Sequence, residues 1–180
     1  MIKKFSHSLR VKITLIILLL ISILLLSIGI LNNYGLTWYY QNEKVSEIHE
    51  AYLKLDNEVK KLSEDGQTVI GESEDSESVV NERVSNIILD YSNKHNITIA
   101  LVDSMTNKAI YSSQREGDMF LDRIQEGFIG NKNIKKKDIL YKSDNYTIIL
   151  HNTPQNSSFI EGFGYCSDNQ TIVIMSTPVA

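Results

Sequence analysis

Cysteine is almost missing from this sequence: Cys166 is alone among 180 residues. A single thiol closes no internal disulfide, and one chain cannot assemble a thiolate metal cluster from it. A small domain stapled by disulfides is therefore excluded. Basic residues are scarce beyond the start. Lys3, Lys4, Arg10 and Lys12 stand in the first 12 residues without an acidic neighbour, and the remainder carries 14 basic and 22 acidic residues. Nucleic acid requires a basic face to neutralise phosphate, so no nucleic-acid partner is expected. Catalytic signatures are missing too. There is no His-Glu-x-x-His, no glycine-rich phosphate loop and no Gly-x-Ser-x-Gly elbow, and His7, His49, His95 and His151 are scattered. No catalytic residue, metal or cofactor is expected.

Charge is absent altogether from Ile13 to Leu31, a run of 19 positions made of Ile and Leu and broken only by Thr14, Ser22, Ser27 and Gly29. At about 1.5 Å per residue it reaches roughly 28 Å, close to the hydrocarbon core of a bilayer. The run predicts a transmembrane helix. A cleaved secretory signal also begins with basic residues and an apolar stretch, but that stretch is shorter and ends in an Ala-x-Ala-like site. Here the small residues lie inside the apolar run. Basic residues before it and Tyr34, Trp38, Tyr39 and Tyr40 after it give a direction. Residues 1–12 are expected in the cytoplasm, 13–31 in the membrane, and the bulk of the chain outside, in a single-pass arrangement.

Beyond the aromatic residues, Val45, Ile48, Tyr52, Leu55, Val59 and Leu62 alternate steps of three and four. That spacing predicts a juxtamembrane heptad helix over residues 32–63. Two uses of the stripe are open: packing on the sheet of its own domain, or a dimer seam against a second copy. Residues 64–78 are acidic and contain Gly66 and Gly71, which predicts a mobile linker without calcium-loop spacing.

Residues 79–180 read as one domain. Val80, Val84, Ile87, Ile88 and Tyr91 predict a helix, with Ser78 as its N-cap and Asn93 to Asn96 as its end. The period then changes to that of strands at Ile97 to Val102 and Ala109 to Ser112. Asp118 can cap a third helix through Phe120, Leu121, Ile124 and Phe128, with a basic turn at Lys132 to Lys137. Strands follow at Ile139 to Lys142, Tyr146 to His151, Phe159 to Cys166 and Thr171 to Ser176, with Asp/Asn turns between them. The order predicts an α+β fold: a transmembrane helix, a long amphipathic helix, then an antiparallel sheet of about five strands with flanking helices.

Several of these features together resemble the extracytoplasmic sensor region, PAS-like or Cache-like, of bacterial membrane sensor histidine kinases. They are the basic start with Ile13 to Leu31, the heptad helix, the unit Ile97-Thr98-Ile99-Ala100-Leu101-Val102-Asp103 followed by Ala109-Ile110-Tyr111-Ser112-Ser113, the late Gly162-Phe163-Gly164-Tyr165, and the closing strand that ends in Thr177-Pro178. The resemblance implies a homodimer, a two-component pathway, and a small-molecule or protein signal from outside the cell. It also implies a pocket between sheet and covering elements, for which Tyr111, Arg115, Tyr146 and His151 are the ligand-binding candidates, with Arg123 and Tyr141 beside them. In that family a second membrane helix and the kinase core come after the sensor, so the chain is expected to be truncated before them. The alternative is a membrane-anchored extracytoplasmic interaction protein without kinase partner domains. His49-Glu50 is not a phosphoacceptor pair by its neighbours, since Ala51-Tyr52-Leu53 stands where Leu-Arg-Thr-Pro is required.

Overall fold

The computed structural model describes residues 9–71, 79–106, 108–113, 138–152 and 157–179. The chain divides into two compact units, Met1–Tyr40 and Gln41–Ala180.

In the first unit, α1 (Leu9–Ile30) is built of Leu and Ile on every side, and its described side chains are exposed throughout. A helix with no polar face has nothing to turn toward water. Its stretch Val11–Ile30, 20 residues, is long and apolar enough to cross a bilayer. Ser22 and Ser27 donate their hydroxyls to the carbonyls of Leu18 and Ile23, one turn back, so neither needs a partner outside the helix. A wider, π-type turn follows at Leu31–Gly35, with α-helical backbone angles at Ile30 before it and Leu36 after it.

The long helix α2 (Leu36–Glu64) follows, and from Gln41 it belongs to the second unit. Its buried residues are Ile48, Ala51, Tyr52, Leu55, Val59 and Leu62, with Val45 half-buried beside them. Five of these are heptad positions predicted from spacing, and they pack into the core of their own chain. Each apolar side chain so removed from water contributes about 1.5–3 kcal/mol. Glycine ends the helix: Gly66 takes φ +68°, Gln67 N–H donates to Leu62 O (2.8 Å) and Gly66 N–H to Ser63 O (3.2 Å). This pair of bonds satisfies carbonyls that the helix end leaves free.

On either side of residues 72–78, β1 (Ile70–Gly71) in the acidic stretch and β2 (Val79–Val80) just after it pair antiparallel. Residues 72–78 lie outside the described part. The next helix, α3 (Glu82–His95), is capped by Asn81, whose side chain accepts from Arg83 N–H at 3.0 Å, rather than by Ser78. It closes at Asn96 in the left-handed conformation.

A single antiparallel sheet completes the unit, with β3 (Thr98–Asp103), β4 (Ala109–Ser112), β5 (Ile139–Lys142), β6 (Tyr146–Asn152), β7 (Ser158–Tyr165) and β8 (Thr171–Pro178). The order across it is β4-β3-β8-β7-β6-β5. It has six strands rather than about five. Irregularities in register fall only in the pairings of the two edge strands, at Leu101/Val102 against β4 and at Ile139/Tyr141 in β5. One face carries Ile99, Leu101, Tyr146, Ile148, Ile160, Val173 and Met175 into a cluster with α2 and α3. The opposite face holds a smaller cluster of Ala100, Val102 and Ile174. The third helix expected from Asp118 and the basic turn Lys132 to Lys137 lie outside the described residues.

Gly162 sets how closely α2 lies on the sheet, and Gly164 how closely β7 lies on the start of β6. A Cβ on Gly162 would stand 2.6 Å from Cγ2 of Ile48, and one on Gly164 would stand 2.2 Å from the carbonyl oxygen of Asn145. Tyr146 covers this bare strip, stacked on Tyr52 with ring centroids 4.0 Å apart. The Tyr52 hydroxyl donates to the Tyr165 carbonyl at 2.6 Å, and Asp56 accepts from both the backbone N–H and the hydroxyl of Ser167. Burial pushes the phenols of Tyr52 and Tyr146 upward, so both stay neutral.

Between the helices, Glu47 meets the Lys44 ammonium (2.8 Å) and His95 Nδ1 (2.8 Å), and Lys44 also donates to the His95 carbonyl. Burial alone would raise the Glu47 carboxyl, but these two partners hold it below its usual value. Tyr91 donates to Glu50 at 2.9 Å, and Arg83 lies 3.5 Å from Glu58.

Candidate ligand-binding face of the sheet

A strand presents alternate residues to opposite faces. In β6, Tyr146, Ile148 and Leu150 turn to the helices, while Thr147, Ile149 and His151 turn to the other side. The antiparallel register continues that second face across the sheet. Ile149 lies opposite Glu161, Glu161 opposite Ser176, and Ser176 opposite Thr98. The neighbouring row runs Thr147, Phe163, Ile174, Ala100. One end of the face is thus polar and the other apolar.

At the polar end Glu161 is only 4 % exposed, and Ser176 is buried beside it. A carboxylate inside a fold needs a partner. Glu161 has one in His151, which lies diagonally across the strand pair with Nδ1 2.9 Å from Oε2. The His151 side chain remains one-third exposed, so the pair reaches from the interior to the surface. Toward the apolar end a cavity of about 460 Å³ opens between Thr147, Phe163 and Ile172 on the sheet and the turn Lys142 to Asn145. That volume lies in the range of small-molecule pockets, roughly 300–1,000 Å³. The face thus offers a buried acid, a one-third-exposed imidazole and a hydroxyl toward one end, and an apolar floor under the cavity toward the other. Among the described residues no group of three or more His, Cys, Asp or Glu converges as a metal site.

The ligand candidates from the sequence do not come together. Tyr111 lies on β4 and packs against the helix-side core. Tyr146 lies on the same face, four strand steps away, or roughly 19 Å at ~4.8 Å per step. It is buried, and its hydroxyl has no hydrogen-bond partner among the described residues. Tyr141 lies under α2, with its ring 4.6 Å from that of His49. His151 alone faces the other side. Arg115 and Arg123 lie outside the described residues. Sequence reasoning missed Glu161 and Ser176. The signal for Glu161 was present as a single acid inside the apolar strand Phe159 to Tyr165.

Another cavity, of about 500 Å³, lies by the end of α2 and includes Asp103 and Asp168. Both carboxylates are committed to their own turns. Asp103 accepts the Met105 and Thr106 N–H groups, and Asp168 accepts from Gln170 N–H, Thr171 N–H and the Thr171 hydroxyl. The backbone donors of Thr106 and Met105 hold the Asp103 carboxyl below its usual value.

No family model, curated protein or solved structure matches this chain.

Proposed function

We propose that this chain is the signal-input portion of a membrane-bound two-component sensor histidine kinase. In this reading α1 is the anchor, its N-terminus is cytoplasmic, and Gln41–Ala180 is an extracytoplasmic PAS-like or Cache-like domain that works as a homodimer. Any catalysis belongs to a kinase core outside the present sequence. The observation that supports it best is the two-faced sheet. One face is filled by α2, which follows the apolar helix in the chain, and the other carries the His151–Glu161 pair toward one end and a cavity toward the other. A signal molecule bound on the second face favours one packing of sheet on helix over another, and that preference is what is passed to the membrane.

Because the buried seam residues are committed to the core, pairing of two copies uses other residues of α2. Its exposed positions include Glu43, Ser46, Glu50, Leu53, Asn57 and Lys60.

Orientation tests the proposal most directly. Protease added to intact cells should digest the second unit, while inside-out vesicles should protect it. The reverse pattern overturns the receptor reading. A thermal-shift screen of small metabolites should then find a ligand whose effect is lost in Glu161→Gln.

A further inference from the structure

We propose that Trp38, Tyr39 and Tyr40 form a collar seated in the lipid headgroup layer, so that the membrane-embedded stretch ends at the collar rather than at Ile30. The inference rests on the reading of α1 as a membrane-spanning helix.

Distances along the helix decide where the bilayer lies. If the hydrocarbon matched Val11–Ile30, the Lys12 ammonium would begin inside it. Trp38 would then stand eight residues beyond its edge, about 12 Å out. The headgroup layer on each side is only about 5–8 Å deep, so the aromatic residues would be stranded in water. A shift of the hydrocarbon by about five residues, to roughly Ile16–Gly35, removes both misfits. Lys12 then reaches one headgroup layer and Trp38 to Tyr40 the other. Val11 to Tyr40 is 30 residues, about 45 Å of helix, which matches the ~40–45 Å of a bilayer with both headgroup regions.

The side chains point to lipid rather than to a protein partner. Trp38, Tyr39 and Tyr40 are 67 %, 59 % and 46 % exposed. They are consecutive, about 100° apart around the axis, so they ring the helix, whereas a docked protein would use one stripe. Indole and phenol rings suit the layer where one end of a side chain is apolar and the other wet. The unit boundary at Tyr40/Gln41 falls at the same place. The shift also sets the wide turn Leu31–Gly35 at the margin of the hydrocarbon, where headgroup water reaches backbone groups that a wider turn presents. No charged residue lies between Ile13 and Asn42. The collar therefore reads a neutral interface and not headgroup charge.

Trp38 is the only tryptophan, so it reports its own depth. The full chain is reconstituted in phosphatidylcholine vesicles whose acyl chains are brominated near the headgroup or at mid-chain. Shallow bromines should quench Trp38 several-fold more than deep ones, with little quenching by aqueous iodide. Added phosphatidylglycerol or salt should change nothing. Moving the reporter, with Tyr34→Trp in a Trp38→Phe background, should shift quenching toward the mid-chain bromines. Full quenching by iodide, in a chain that stays with the vesicles after an alkaline carbonate wash, overturns the collar and leaves the span intact. So does a depth that depends on anionic lipid, or no shift with the moved reporter. Release of the chain by carbonate overturns the span itself, and the collar with it.

Discussion

Substitution of Gly162 by alanine tests the close approach of α2 to the sheet. The added Cβ would stand 2.6 Å from Ile48 Cγ2 and 3.1 Å from the Tyr146 hydroxyl oxygen. Carbon atoms in ordinary contact lie ~3.5–4.0 Å apart, so the isoleucine methyl must retreat by about 1 Å. Ile48 has no exposed surface and sits on a helix fixed by five further buried residues, so it has little room to yield. Overpacking of this kind costs about 1–3 kcal/mol, or a fall of roughly 3–10 °C in Tm for a domain of this size. The clash is with the branch at Cβ, which leucine lacks. Ile48→Leu alone should cost less than ~1.5 kcal/mol. Combined with Gly162→Ala, it should recover at least ~0.5 kcal/mol of the expected sum. Thermal and urea unfolding of the four proteins in detergent, followed by circular dichroism, gives the cycle. A neutral Gly162→Ala, or strict additivity with Ile48→Leu, would refute the claim that glycine is there to admit the helix.

Leu55→Asp places a carboxylate where no surface is exposed; it should cost more than ~4 kcal/mol and abolish the cooperative unfolding transition. Loss of association with the fold intact, seen by sedimentation alongside circular dichroism, would instead restore the stripe as a dimer seam. Glu47 has its carboxyl held low in the folded state, so its contribution is present above its usual value of about 4.5 and is lost as pH falls through the lower folded value. Glu47→Gln should therefore flatten stability against pH in that acid window and leave the slope near neutrality alone, as measured by denaturation at a series of pH values. Cys166 is fully buried, and burial raises its thiol further from the reactive thiolate. It should resist a thiol reagent in native protein and react stoichiometrically once urea passes the unfolding midpoint; fast labelling without denaturant would contradict the core position.

Much of the architecture was readable because it depends on local periodicity. The three-and-four spacing from Val45 to Leu62 marks the face of α2 that is buried, and β4 and β5 begin and end where the residue pattern changes. What failed depends on register. Tyr146 and His151 are five apart in one strand, an odd spacing that sends them to opposite faces, so they could not share a pocket. The partnership of His151 with Glu161 needs two strands aligned residue by residue, which no single segment encodes. The same holds for Gly162 and Gly164. As letters they suggest a turn, whereas Gly162 leaves space for Ile48, more than a hundred positions earlier in the chain, and Gly164 for the backbone of Asn145 and Tyr146 beside it in the sheet. The helix is capped by Asn81 and not by Ser78 because β2 occupies the positions between them.

Consider finally where β8 sits. It is synthesised last among the described strands, yet it lies in the interior of the sheet, hydrogen-bonded to β3 on one side and β7 on the other. A ribosome or an export channel that releases residues in order therefore delivers two incomplete pieces, a hairpin and a meander, each with an open edge and an apolar side. Neither can be sealed until β8 slides between them. Assembly of this unit should be slow and all-or-none, and a nascent chain arrested before Thr171 should be held by chaperones rather than matured.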